Sequence, residues 1–90
     1  MIHPRVRSQY KSACFALLEA RYAYYVLGEI LMLDSEYDAL EREVANLEDT
    51  IPGLRHPDSP IGNVGSDSQD SYPAWMHERV LSLLNTRRIG

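Results

Sequence analysis

The chain has 90 residues, 9 basic against 13 acidic side chains and a net charge of −4, which leaves room for one small domain and none for a two-domain nucleotide enzyme with a cleft between its halves. Eight of the nine basic residues are arginines and Lys11 is the single lysine, so any lysine-nucleophile chemistry must use Lys11 or a lysine from another chain. The single cysteine, Cys14, excludes an intramolecular disulfide and a CxxC metal pair, and it fits a reducing, cytoplasmic setting.

From Arg5 to about Leu27 the apolar residues fall at Val6, Tyr10, Ala13/Cys14, Leu17/Leu18 and Tyr24/Tyr25, a spacing of three and four that predicts one amphipathic helix. Pro4 suits its first turn and Gly28 its stop. The apolar run Ala13 to Leu18, closed by Glu19 and Arg21, is six residues long. It is too short for a targeting core or for the roughly 20 residues of a membrane span.

Glu29 to Leu33 is a short connection that brings a second helix back against the first. There Tyr37, Leu40, Val44 and Leu47 step by three, four and three, with Glu36, Glu41, Arg42, Glu43 and Glu48 on the other faces. Asp34 is placed to be its N-cap. The two stripes then face each other as the expected core.

Beyond Thr50, four of the five prolines and three of the five glycines fall in residues 51–75, which reads as turn and loop. Gly65 to Ser71 is polar throughout and is expected to be the mobile piece. Trp75 to Leu84 is periodic and reads as a short helix or a strand. The predicted fold is therefore all-α: a small helical domain built on an amphipathic helix pair, then a Pro/Gly-rich loop and a short C-terminal helix or strand.

Charge is unevenly spread. Residues 1–33 carry +2, residues 34–50 carry seven acids against Arg42, and residues 51–90 balance. The acidic second helix would repel a phosphate backbone, so no direct DNA binding is expected from this segment.

One constellation stands out chemically. Tyr22, Tyr24, Tyr25 and Tyr37 lie close in sequence to Asp34 and Asp38, and residues 34, 37 and 38 share one face of the second helix. Aromatic faces suit a flat heterocycle, and carboxylates accept hydrogen bonds from an amide, a ribose or a cationic ring. The same residues also have a purely structural reading, as rim tyrosines, a cap and an Asp38–Arg42 pair at i,i+4. Gly62-Asn63-Val64-Gly65 lacks the strand context of a dinucleotide or phosphate loop. His3, His56 and His77 lack metal-ligand spacing, and the serines lack a nucleophile-elbow context. Cys14 lies on the apolar side of the first helix and reads as a small buried hydrophobe.

The blocks Tyr24-Tyr25-Val26-Leu27, Asp34-Ser35-Glu36-Tyr37-Asp38-Ala39-Leu40, Pro57-Asp58-Ser59-Pro60 and Val64-Gly65 together resemble the N-terminal end of bacterial NAD+-dependent DNA ligases. That family runs Y-[YH]-V-x-D, then D-x-E-Y-D-x-L, then P-D-S-P-T-x-x-V-G. Order and spacing agree, and the resemblance covers roughly residues 8–85. It implies the NMN-binding, Ia-type subdomain of the adenylation domain, which closes over NAD+ and holds its nicotinamide mononucleotide half.

Carried over residue by residue, the resemblance implies Tyr24, Tyr25, Asp34, Tyr37 and Asp38 as cofactor-binding residues. Tyr24 and Tyr37 would flank the nicotinamide and the aspartates would engage its amide and ribose. The implied role is to orient the mononucleotide leaving group during enzyme adenylylation, in DNA nick sealing for replication and repair. Its nucleophile is a lysine in a K-x-D-G motif of a nucleotidyltransferase domain, the implied partner in cis or in trans. This chain has no such motif, since Lys11 is followed by Ser-Ala-Cys, and catalysis by the chain alone is not expected.

Residues 1–65 are expected to form the mononucleotide-binding-like subdomain, and residues 66–90 a flexible loop and a truncated or degenerate start of the adenylation segment. Departures from the family pattern are Gly28 for Asp, Ile61 for Thr, Leu84 for Asp, Met76 for Arg, and the connection Glu29-Ile30-Leu31-Met32-Leu33, which lacks the usual Pro-Glu-Ile. They leave a second reading open, a degenerate ligase-like helical module that acts through protein–protein contacts.

Overall fold

The computed structural model describes residues 2–56, 59–61 and 69–89. Among these, three α-helices, α1 (Pro4–Tyr25), α2 (Asp34–Thr50) and α3 (Met76–Ile89), and a single 3-10 turn (Gln69–Ser71) make an all-α domain. Pro57, Asp58 and the Gly62 to Gly65 stretch, on which part of the family resemblance rests, lie outside the described residues. So do residues 65–68 of the segment expected to be mobile, while its last residues belong to the 3-10 turn.

α1 starts where an extended His3 places its ring Nδ1 to accept the Arg5 N–H at 3.0 Å, with Pro4 next in line needing no partner. Its stop is set by Gly28, whose φ of +69° is a left-handed conformation open to glycine at low cost. Around it the Val26 and Leu27 N–H groups return to the Tyr22 carbonyl at 2.9 and 3.3 Å, and the Glu29 N–H reaches the Ala23 carbonyl at 2.8 Å. The helix thus ends two residues before Leu27. Val26 and Leu27 keep the apolar pattern because they still pack on the core from the turn.

The N-cap of α2 is Leu33, not Asp34 as the sequence suggests. Leu33 is extended and has no side-chain acceptor, so only the return half of a capping box is made: its N–H donates to Glu36 Oε1 at 3.1 Å. Asp34 becomes the first helical residue. There its charge faces the positive end of the helix dipole.

The expected α1–α2 core exists and accounts for half of the packing. Tyr10, Cys14 and Leu17 of α1 bury themselves with Val44 of α2 and Leu54, and Tyr37, Leu40 and Leu47 pack around them. A second cluster joins Tyr22 and Ala23 of α1 to Leu31, Tyr72 and the α3 residues Met76, Val80 and Leu84. The last periodic segment is therefore a helix, and α2 and α3 each pack chiefly on α1. Among the described residues no helix is long and apolar enough to cross a membrane.

Because both clusters hang on α1, they should melt together. Leu17→Ala and Met76→Ala, fully buried in different clusters, are each expected to cost about 2–5 kcal/mol. Urea denaturation followed by circular dichroism should show one shifted transition for each variant.

Candidate functional site

Tyr24 and Tyr25 end α1, and Asp34, Tyr37 and Asp38 occupy the first turns of α2. The two tyrosine rings meet edge to face at 5.2 Å between centroids and stay largely in solvent, 62% and 46% exposed. Tyr22, adjacent in sequence, points the other way and is fully buried. It therefore drops out of the aromatic constellation as a ligand face.

Tyr37 is half-buried and tied back to α1. The Arg21 Nε–H donates to its hydroxyl at 2.5 Å, and the guanidinium carbon lies 6.0 Å from the ring centroid. Arg21 precedes Tyr24 and Tyr25 by three and four residues, so all three share one side of α1. The structure thus draws Tyr37 to the turn just before the exposed tyrosine pair. Asp34 and Asp38 are exposed, and among the described residues neither carboxylate takes a hydrogen bond or ion pair. The Asp38–Arg42 pair suggested by their spacing is not formed.

A groove of about 330 Å³ runs along α2 past Ala39, Arg42, Glu43, Asn46, Leu47 and Thr50. None of the five candidate residues lines it. The donor set favours the tyrosine and aspartate end instead: unpaired carboxylates and open aromatic faces fit an amide, ribose hydroxyls and a flat cationic ring. Among the described residues no cluster of His, Cys, Asp or Glu could hold a metal ion.

Sequence periodicity missed a polar frame centred on Glu48, toward the other end of the α1–α2 pair. Glu48, its side chain 5% exposed, accepts from the Tyr10 hydroxyl at 2.7 Å and from Ser59 Oγ at 2.5 Å on one oxygen, and from Arg55 at 3.1 Å on the other. The Tyr10 hydroxyl in turn accepts the His56 N–H at 3.1 Å. Arg55 and Arg21 donate to the Ile61 and Pro60 carbonyls at 2.8 and 2.9 Å. The segment 59–61 is therefore held at three successive residues. Only the Pro-Asp-Ser-Pro string hinted at it.

Burial pushes the Tyr10 hydroxyl above its ordinary range, and it raises the Cys14 thiol as well, which keeps Cys14 in its unreactive form. On the α3 side the Tyr22 hydroxyl lies 2.6 Å from His77 Nδ1, a hydrogen bond that joins α1 to α3, and burial raises the Tyr22 hydroxyl above its ordinary range. Arg79 Nε donates to Glu19 at 2.9 Å beside it. His3 is thus a helix cap, and His77 a hydrogen-bonding partner that docks α3 on α1.

A family profile described as the DNA ligase-like, N-terminal NAD+-binding domain matches residues 3–65. The chain belongs to this family. Its match takes in α1, α2 and the 59–61 segment, hence all five candidate residues and the Glu48 frame, while α3 lies beyond it. The chain is 40% identical over 79 residues to a DNA ligase of Psychrobacter cryohalolentis, covering 87% of this chain and 11% of that protein. Identity to a DNA ligase of Porphyromonas gingivalis is 42% over 71 residues, covering 78% and 11%. For a DNA ligase of Chloroherpeton thalassium it is 41% over 73 residues, covering 80% and 11%. The chain spans about a tenth of the length of these ligases. No solved structure matches it. NAD+ is the cofactor of this family of domains.

Two predictions separate frame from site. Glu48→Ala removes the acceptor that the buried Tyr10 and Ser59 hydroxyls share with Arg55 and should cost about 2–5 kcal/mol, whereas Asp34→Ala and Asp38→Ala should stay within about 0.5–1 kcal/mol in urea denaturation. Above pH about 10 the unfolded chain releases its tyrosine protons while folded Tyr10 and Tyr22 keep theirs. Stability is therefore fully present below that pH and falls as pH rises. The urea midpoint should drop between pH 9 and 11, and less steeply in Tyr22→Phe.

Proposed function

We propose that the chain is the mononucleotide-holding part of an NAD+-dependent DNA ligase, acting beside a nucleotidyltransferase domain supplied in cis or in trans. The observation that carries this reading is the set of unpaired, exposed groups at one end of the α1–α2 pair. Tyr24, Tyr25, Asp34 and Asp38 contribute little to the fold, yet they coincide with the positions that the resemblance assigns to cofactor binding. Bound NAD+ supplies the adenylyl group to be transferred and the nicotinamide mononucleotide that departs.

In this reading Tyr24 and Tyr37 flank the nicotinamide ring, with Tyr25 closing the edge. Asp34 and Asp38 accept hydrogen bonds from the carboxamide and ribose and set a negative potential against the cationic ring. Their work is positional: they hold the leaving group in line for an attacking amine that this chain lacks, which suits a chain without a K-x-D-G lysine. Nick sealing in DNA replication and repair is then a property of the assembled ligase. The acidic α2 leaves DNA contact to other parts of it.

Titration of the chain with nicotinamide mononucleotide, followed by amide shifts, should move Tyr24, Tyr25, Asp34, Tyr37 and Asp38. Tyr24→Ala, at a 62% exposed position, should weaken binding about tenfold without loss of stability. Unmoved signals at millimolar ligand overturn the reading. Adding the chain to a ligase lacking its own N-terminal segment should restore NAD+-dependent self-adenylylation, and the chain alone should show none.

A further inference from the structure

Tyr10, Cys14, Leu17 and Arg21 follow one another on α1 by four, three and four residues, so all four lie on the stripe that faces α2. The first three are buried in the α2 cluster. The fourth, where an apolar residue would complete the pattern, is an arginine whose side chain is 10% exposed. Taking a guanidinium out of water at a register position is costly unless its donors are used. Here they reach three ways: Nε to the Tyr37 hydroxyl at 2.5 Å, Nη2 to the Pro60 carbonyl at 2.9 Å, and Nη2 to within 3.7 Å of Glu41.

We infer that Arg21 is a positioning residue that acts through Tyr37, holding its hydroxyl and ring plane so that the ring stands ready for the nicotinamide mononucleotide beside Tyr24 and Tyr25. The inference rests on the reading proposed above and extends it to a residue outside the tyrosine and aspartate set. A tyrosine near a helix start is free to exchange rotamers, and a ligand that stacks on it must pay for stopping that motion. Arg21 removes the motion beforehand.

The arginine is chemically specific to this task. Its planar fork carries separate Nε and Nη donors, one for a hydroxyl on α2 and one for a carbonyl on the 59–61 segment, whereas a lysine has one nitrogen to divide between them. The carbonyl it grips is itself fixed, because Ser59 is bonded to Glu48 and the Ile61 carbonyl to Arg55. Tyr37 is thereby referenced to the most heavily anchored stretch of the chain. Glu41, 43% exposed, balances charge and does not touch Tyr37 through any described contact.

The test uses the full chain and its Arg21→Lys, Tyr37→Phe, double and Glu41→Gln variants, each first shown to be folded by urea denaturation. In the free chain the Arg21 Nε–H resonance should be protected from exchange and should shift when Tyr37→Phe removes the accepting oxygen. In nicotinamide mononucleotide titrations Arg21→Lys should weaken affinity about five- to tenfold when Tyr37 is present and less than about twofold in the Tyr37→Phe background. Glu41→Gln should change it less than about twofold. Tyr37→Phe alone should weaken it by a factor similar to Arg21→Lys, and if the arginine variant does not fold, the response of the Arg21 Nε–H line to Tyr37→Phe decides the matter. Equal weakening by Arg21→Lys in both backgrounds, or an Nε–H line indifferent to Tyr37→Phe, overturns the inference. Absence of binding by the unaltered chain instead overturns the mononucleotide reading, and the Nε–H line then decides separately whether Arg21 holds Tyr37.

Discussion

One helix has to bury two faces, and the rest of the molecule follows from how α1 does so. At 22 residues it is about 33 Å long, most of the 41 Å long axis of the domain. Tyr10, Cys14 and Leu17 turn toward α2, while Phe15, Leu18, Tyr22 and Ala23 turn toward α3 and Tyr72. A helix with apolar residues on two stripes cannot rest against a single partner. Alone, α2 would leave Tyr22, Phe15 and Leu18 in water, so α3 completes the burial that the α1–α2 pair begins.

Polar groups fix how these helices meet, because apolar contact alone tolerates sliding and rotation. Glu48, Glu19 and Arg21 are largely enclosed ionic groups on the helices, and each is met by donors or acceptors from another part of the chain. Among the described residues no buried side-chain nitrogen or oxygen lacks a partner. Such a network gives modest net stability, but it is intolerant of misplacement, since a shift of one turn would strand several groups at once. The 59–61 segment has no helix of its own, and it is as well fixed as the helices because successive residues are tied to Glu48, Arg21 and Arg55.

Local pattern made α2 legible. Its single stripe of Tyr37, Leu40, Val44 and Leu47 matches the packing around Val44. α1 was harder, because two stripes overlaid in one helix blur the three-and-four spacing, and the α3-facing set was absorbed into a general apolar signal. Trp75 to Leu84 could not be assigned to helix or strand without the Tyr22 and Ala23 surface it packs on. The cap of α2 was misplaced by one residue because Asp34 is an excellent cap by type, whereas backbone conformation at Leu33 and the Glu36 return bond decide the boundary. The tyrosine and aspartate cluster was visible in the chain order, and the resemblance narrowed it to five residues with roles. The Glu48 frame ties Tyr10 to Glu48 and His56, 38 and 46 positions away, which no window of local periodicity can register, although an arginine at a stripe position was a visible signal for Arg21.

The same frame explains the electrostatics of the exposed end. Arg21, Arg55 and Arg79 are committed to Glu41, Glu48 and Glu19, and Arg42 leaves Asp38 alone, so the first turns of the most acidic helix keep their charge uncompensated. Asp34 and Asp38 stand four residues apart on one face, a like-charge arrangement that costs a few tenths of a kcal/mol and is offset by the helix dipole at that end. In the proposed reading, a pyridinium ring laid between them and the exposed tyrosines would relieve the repulsion and cover apolar surface together. With Arg21, Arg55 and Arg79 committed to Glu41, Glu48 and Glu19, none of them offsets Asp34 and Asp38.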